Sequence, residues 1–198
     1  MMSTGITPTT ELEAVNTILA NIGETETNSL EDETFIDALA ARKLLTSVTR
    51  ELQTRSWFWN TDVERKMQRN LQGEIIVAAN TMSIQPAGVD RGLSIVQRGS
   101  RLYDRKNHTY NFDKDITCTI TIALPFDEMP ESARRFATLR AARMFQEQTL
   151  SSESLAQGDR IDESLAYAAL MNDHVRVAGF SYLTGSPTSR DVMMRRRV

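Results

Sequence analysis

The sequence of 198 residues predicts an α+β fold, with N- and C-terminal helices forming a helical bundle and a small antiparallel β-sheet or sandwich inserted between them. Three observations carry that prediction. Apolar residues recur at helical spacing as far as about residue 55; aromatic and short alternating runs replace them from Trp57 onward; helical spacing returns after Pro130. The boundaries drawn from these changes are 1–56 and 126–179 for a discontinuous helical domain, 57–125 for a β domain, and 180–198 for a flexible polar and basic tail.

The first helix is read from TELEAVNTILANIGE, Thr10 to Glu24. Thr10 and Glu13 have the spacing of a capping box, in which each side chain satisfies a backbone N–H of the other. Leu12, Val15, Ile18, Leu19 and Ile22 form the apolar stripe, and Gly23 suits the left-handed residue that closes a helix. A second helix is expected from Ser29–Glu31 to about Arg55, with Phe35, Ile36, Leu39, Leu44, Leu45, Val48 and Leu52 on its apolar side. Its first turn, Glu31-Asp32-Glu33, complements the positive end of the helix dipole. The short connection predicts antiparallel packing of the first two helices.

From Trp57-Phe58-Trp59 the period changes. Strands are expected near 57–65, 74–79, 81–85, 93–97, 101–104 and 116–124, separated by turn residues such as Pro86-Ala87-Gly88. Ser94 to Asp104, folded about Arg98-Gly99-Ser100, reads as a hairpin. Ile116, Cys118, Ile120 and Ile122 alternate with threonines and give the clearest half-buried strand.

Pro130 suits the first turn of a third helix, and Asp127, Glu128 and Glu131 around it suit the dipole. Ala133, Phe136, Ala137, Ala141, Met144 and Phe145 line one face; Arg134, Arg135, Arg140 and Arg143 take the rest. A polar break at 151–158 precedes a last helix carrying Ile161, Leu165, Ala169 and Val175, ended by Gly179.

Charge is distributed unevenly. Residues 1–41 hold eight acidic groups and no Lys or Arg, whereas 23 basic and 18 acidic groups follow from residue 42 onward. The chain closes on Arg195, Arg196 and Arg197. Such polarity suits contacts between copies or docking onto a large partner. No apolar run approaches the ~20 residues that span a bilayer, so no membrane role is expected. The N-terminus has neither the basic flank nor the apolar block of a secretory signal. The lone Cys118 offers no internal disulfide, so nothing demands an oxidising compartment and assembly in a cytoplasm is expected.

Chemistry has few footholds. His108 and His174 lack ligands at metal-binding spacing, so no metal or cofactor is expected. Cys118, among isoleucines, reads as a small buried apolar residue. Paired carboxylates are the remaining catalytic option, because glycoside hydrolysis needs two of them: Asp127, Glu128 and Glu131, or Asp113 and Asp115. Acids at a helix start explain the first group without catalysis. Tyr103, Tyr110 and Phe112 near Arg101, Arg105 and Lys106 are a weak stacking platform for nucleic acid, but no nucleic-acid module accompanies them.

Three segments in order resemble the tail tubular protein A family, the head-to-tail adaptors of short-tailed bacteriophages. The first is ELEAVNTILANIGE at 11–24, followed by Ala38-Leu39-Ala40-Ala41-Arg42 and an exit through Arg55-Ser56-Trp57. The second is Leu102-Tyr103-Asp104-Arg105, ahead of Phe112 and the Ile116 strand. The third is Phe126-Asp127-Glu128-Met129-Pro130-Glu131, followed by Arg134 and Ala142-Arg143-x-Phe145. The resemblance implies a structural, non-enzymatic virion protein assembled in the host cytoplasm. It implies a dodecameric ring between the capsid portal and the tail nozzle (tail tubular protein B), continuing a channel through which DNA passes without specific binding. No catalytic residue is inherited. Within that reading, Arg195, Arg196 and Arg197 are the candidate portal-docking tail. Glu31, Asp32 and Glu33 on one side, with Arg134 and Arg135 on the other, are candidate charges between subunits.

Overall fold

The computed structural model describes residues 7–31, 35–150 and 153–185. The chain divides into two compact units, Met1–Thr49 with Phe126–Val198, and Arg50–Pro125. Among the described residues there are four α-helices: α1 (Glu11–Ala20), α2 (Ile36–Gln53), α3 (Glu131–Leu150) and α4 (Glu153–Gly185). The strands are β1 (Thr61–Met67), β2 (Thr81–Pro86), β3 (Ile95–Arg98), β4 (Arg101–Asp104) and β5 (Ile116–Ile122). The fold is α+β.

Both ends of α1 follow from its sequence. The Thr10 N–H donates to Glu13 Oε2 at 2.8 Å, and the Glu13 N–H donates to Thr10 Oγ1 at 3.2 Å, a complete capping box. At the other end Gly23 takes φ 81°, while the Glu24 N–H reaches Leu19 C=O and the Gly23 N–H reaches Ala20 C=O, both at 3.1 Å. That pair is a Schellman closure. Ala14, Val15, Ile18 and Leu19 are buried.

The second helix starts later than its composition suggests. It begins at Ile36 instead of residues 29–31, because side chains claim the backbone before it. The Asn16 amide exchanges two 3.0 Å hydrogen bonds with the Thr27 backbone; the Ser29 N–H donates to Thr27 Oγ1 and the Glu31 N–H to Ser29 Oγ. Such local bonds compete with helix formation. Phe35 and Ile36, expected on the buried side, are 43% and 78% exposed. Ala38, Ala41, Leu45, Val48 and Leu52 form the buried face. The most extensive helix contacts are α3 with α4 and α1 with α3, while α1 and α2 meet through Arg42, whose Nε donates to Glu11 Oε1 at 2.8 Å.

Buried residues surround α3 on most sides. Ala133, Ala137 and Ala141 are fully buried and let neighbouring helices come close, and Phe136 meets Tyr167 of α4 with ring centroids 5.2 Å apart. The expected polar break is instead helical from Glu153, and α4 continues past Gly179 to Gly185. A Gly inside a helix costs about 1 kcal/mol, and beside Gly158 tertiary ties across 159–163 offset it. Asn21 Nδ2 donates to Asp159 Oδ2 at 3.1 Å, Arg160 pairs with Glu147 at 3.2 Å, and Arg143 pairs with Glu163 at 2.5 Å. The helix packs through Ala166 and Leu170. Ile161, Leu165 and Val175, expected to pack, face outward.

In the β unit the sheet order is β1-β5-β2, antiparallel throughout, with β3 and β4 as a separate hairpin. The hairpin turns at Gly99-Ser100, with Gly99 at φ 61°, the left-handed first position of a type II′ turn. Ile116, Cys118 and Ile120 of β5 join Ile75, Val77, Ile95, Leu102 and Phe112 in one core. The alternation fails at its end: Thr121 is buried, sharing a 3.0 Å hydrogen bond with Ser56, while Ile122 is only partly buried. The expected strand at 74–79 is reduced to isolated bridges at Glu74, Ile75 and Ile76.

Trp57-Phe58-Trp59, expected to open a strand, forms a turn instead. The Trp57 N–H donates to Asn60 Oδ1 at 2.9 Å, and its indole N–H donates to Leu52 C=O at 2.7 Å. Asn60 Nδ2 returns to Gln53 C=O at 3.0 Å. Gln53, Trp57 and Asn60 are 1–2% exposed, so these bonds are made out of water.

Candidate functional site

A cluster of charged side chains in the helical unit lies where the N-terminal segment meets the start of α3. Arg134 is 9% exposed. Its Nε donates to Met129 C=O at 2.7 Å, its Nη1 to Thr9 C=O at 2.7 Å, and its Nη2 to Asp127 C=O. Glu131 accepts from the Thr9 N–H at 2.9 Å and the Thr9 hydroxyl at 2.7 Å. Asp127 Oδ1 accepts from the Glu11 N–H at 3.1 Å. Phe126 and Met129 sit beneath in the core. The arrangement is a clasp: two carboxylates and a guanidinium hold the chain just before α1 and its first N–H groups, which a helix start leaves unpaired.

That clasp decides several candidate residues. Arg134, a candidate charge between subunits, spends its fork on three carbonyls of its own chain, whereas Arg135 is exposed. Arg143 is likewise turned inward, pairing with Glu147 at 2.9 Å and Glu163 at 2.5 Å. These two carboxylates hold the Arg143 guanidinium above its ordinary pKa, the Glu163 hydrogen bond first. Glu31 is exposed in the turn ahead of α2. Asp32, Glu33, Arg195, Arg196 and Arg197 lie outside the described residues.

Three of the five candidate carboxylates have structural work, while Glu128 and Asp113 are exposed. Asp127 and Glu131 belong to the clasp. Asp115 accepts from the Arg69 N–H at 3.1 Å and faces Lys66 at 3.3 Å; the Arg69 bond is the first cause holding it below the carboxylate range. Asp104 caps its own turn, accepting from the Lys106 and Asn107 N–H groups at 2.8 and 3.0 Å, and it too is held low, chiefly by Asn107. Asp90, 3% exposed, accepts from Lys114 Nζ at 2.5 Å and the Thr117 N–H at 2.9 Å; Lys114 is the first cause of its lowered pKa. Arg143 likewise lowers Glu147. A glycosidase's acid needs the opposite shift, upward. Sequence reasoning missed the Asp90–Lys114 pair, since 24 positions separate its members. The signal that could have revealed the Asp104 turn is Asx chemistry, an aspartate bonding backbone N–H groups two and three residues on.

The aromatic platform is occupied from within. Phe112 and Tyr103 are buried, Arg98 lies 3.7 Å over the Tyr103 ring, and Arg101 lies 4.2 Å over Tyr110. Arg101 also pairs with Glu74 at 2.5 Å. Bases would have to displace these guanidinium groups. Burial pushes the Cys118 thiol up to about 11, which removes nucleophilic character at neutral pH. His108 sits at φ 55° in the turn after Asp104, and His174 is partly buried on α4. Among the described residues no three His, Cys, Asp or Glu side chains gather as a metal site, and no helix is long and apolar enough to cross a membrane.

The family model named Tube, for tail tubular proteins, matches residues 12–180. The chain belongs to the tail tubular protein family. A curated relative, tail tubular protein A of Klebsiella phage KP34, is 29% identical over 123 residues. That match covers 62% of this chain and 64% of the relative, less than two thirds of its length. Membership makes this a structural tail protein of a bacteriophage virion. It also gives a physical reading of the third family-like segment, Phe126 to Glu131 with Arg134. In this chain it is the clasp, with Phe126 and Met129 buried, Asp127 and Glu131 holding the N-terminal segment, and Arg134 bonding the carbonyls between them.

Proposed function

We propose that this tail tubular protein is a non-enzymatic head-to-tail adaptor, copies of which form a ring that joins the capsid portal to the tail nozzle and continues the DNA-exit channel. The helical and β units act as separate domains, and ring assembly takes place in the host cytoplasm. The observation that carries the reading is the family match over residues 12–180. The uneven charge supports it, since residues 1–41 hold only acidic groups. In the ring, Glu31 with Asp32 and Glu33 faces Arg135 of the next copy, Arg134 being committed to its own chain. Each weak portal contact recurs around the axis, so avidity exceeds the affinity of one contact. Acidic residues, rather than arginines, line the channel, because strong attraction would retain the departing genome.

Electron microscopy of the purified chain mixed with its portal tests this reading. Rings on the portal, with one copy's acidic turn against the next copy's Arg135, are expected; a chain that stays off the portal defeats it. The basic tail has its own test. Because α4 runs to Gly185, the deletion that spares the helix removes 186–198. Such a protein should fold and fail to complete tails; normal tails from it would remove the docking role of Arg195, Arg196 and Arg197.

The glycan-hydrolase alternative is disfavoured by the clasp. Asp127 and Glu131 hold backbone and hydroxyl groups of their own chain. Release of reducing ends from host polysaccharide, abolished by Asp127→Asn or Glu131→Gln, would overturn this. Salt-dependent binding to duplex DNA is the corresponding test of a nucleic-acid role.

A further inference from the structure

The outer face of α4 carries a pattern that packing within one chain leaves unused. Gly158, Ile161, Leu165, Ala168, Asn172 and Val175 follow one another at alternating steps of three and four, the a/d spacing of a coiled-coil seam. All six are exposed, with Ile161 at 59%, Leu165 at 65% and Val175 at 59%. The residues that bury α4 against α3, Glu163, Ala166, Tyr167 and Leu170, fall at the remaining positions on the other side. An amphipathic helix normally turns such a stripe to the core. Here the stripe faces away from it, and its period is that of a partner helix.

The flanking charges say which helix. Asp162 and Arg176 occupy equivalent positions beside the seam, one near each end, and both are exposed. Laying two copies of α4 antiparallel puts Leu165 against Val175 of the other copy and Ala168 against Asn172. The same arrangement brings Asp162 beside the other copy's Arg176, twice, by symmetry. In a parallel pair each charge would meet its own kind in height. Arg176 already makes an i,i+3 contact with Asp173 at 3.1 Å, but its side chain is 79% exposed and free to redirect. The small Ala168 and Ala169 near the centre permit close approach, and the lone polar Asn172 in the seam fixes register.

We infer that two copies of this chain pair antiparallel through the outer faces of α4, as a dimer closed by a two-fold axis. A ring about one axis has only head-to-tail contacts, so this pairing is not the ring contact. It is a form of the free chain, independent of the adaptor reading. The described seam is short, about 27 Å at 1.5 Å per residue. Association is therefore concentration-dependent, with a Kd on the order of micromolar.

Sedimentation at low salt, from roughly 1 to 100 µM, should carry the full chain from its 22.3 kDa monomer towards twice that mass. Leu165→Asp should hold it monomeric, with circular dichroism unchanged because the side chain is exposed. Asp162→Arg and Arg176→Asp should each weaken the dimer about tenfold. An equimolar mixture of those two variants should regain it, since both cross-pairs are then opposite in charge. A chain monomeric throughout, a dimer indifferent to Leu165→Asp, or single variants that do not rescue each other would each overturn the inference. None of these outcomes bears on whether rings form on a portal.

Discussion

Arg134 grips Thr9 across 125 positions of sequence: its Nη1 donates to the Thr9 carbonyl at 2.7 Å while Glu131, one turn earlier on α3, holds the Thr9 N–H and hydroxyl. The segment ahead of α1 is thereby fixed by groups at the start of α3. Its backbone donors and acceptors find partners without belonging to a helix or sheet.

Truncating the guanidinium should therefore cost more than its position near a helix start suggests. Arg134→Ala leaves the Met129, Asp127 and Thr9 carbonyls without it, and about 2–4 kcal/mol of stability should go. Arg134→Lys should rescue little, because an ammonium lacks the planar fork. The neighbouring Arg135→Ala, on an exposed side chain, should stay within about 0.5 kcal/mol. Urea unfolding of the three variants decides it, and equal stability for Arg134→Ala and Arg135→Ala would refute the clasp.

Local signals were legible and distant ones were not. Thr10 and Glu13 are three positions apart, so the capping box could be read directly; so could the Gly99 turn. Trp57-Phe58-Trp59 could not, because aromatic residues favour strands and the turn depends on Asn60, Gln53 and Leu52 closing around it. Arg134 looked like one of four arginines on a polar face; its burial needs carbonyls from Thr9 that helical spacing does not reveal. Ile161 and Leu165 illustrate the opposite failure. Their spacing announced an apolar face correctly, yet periodicity cannot say whether that face meets the same chain or another.

Acid should weaken the β unit through Asp90 and Asp104. Both are nearly buried and both are held below the usual range, Asp90 chiefly by Lys114 and Asp104 chiefly by the Asn107 N–H. An unfolded aspartate titrates near ~3.9, so the unfolded chain takes up protons first as pH falls. The stabilisation is then complete above about pH 5, shrinks below about pH 4 and is lost once the folded-state groups protonate. Asp90→Asn should cost about 1–3 kcal/mol at neutral pH and flatten this dependence. Denaturant midpoints between pH 3 and 7, for both proteins, test it; parallel profiles would contradict the assignment.

Two glycines should respond in opposite directions to alanine. Gly23 has φ 81° with nothing within 4 Å of an added Cβ, so Gly23→Ala should lose about 1 kcal/mol from backbone strain alone. Gly92 has equal space and no such conformation. Gly92→Ala should be neutral or gain roughly 0.4 kcal/mol, through the reduced freedom of the unfolded chain. A thermal midpoint that falls as far for Gly92→Ala as for Gly23→Ala would show that φ does not govern these sites.

Gln53 closes the β unit with a side chain acting as backbone. Its Nε2 donates to Leu124 C=O at 3.0 Å and its Oε1 accepts from the Leu124 N–H at 2.7 Å, imitating a pair of strand bonds just beyond the end of β5. The residue is 1% exposed, and its own carbonyl accepts from Asn60. Gln53→Ala strips Leu124 of both partners, at a cost of about 2–4 kcal/mol. Gln53→Glu keeps the shape but cannot donate and buries a charge, so it should do no better. Leu52 and Asn60 hold Trp57 in place beside it, and Trp57 is 2% exposed. Tryptophan emission should therefore shift to the red in both variants at denaturant concentrations that leave the unaltered protein folded. Retained blue emission and an unchanged midpoint in Gln53→Ala would mean that the Leu124 bonds contribute nothing to the unit.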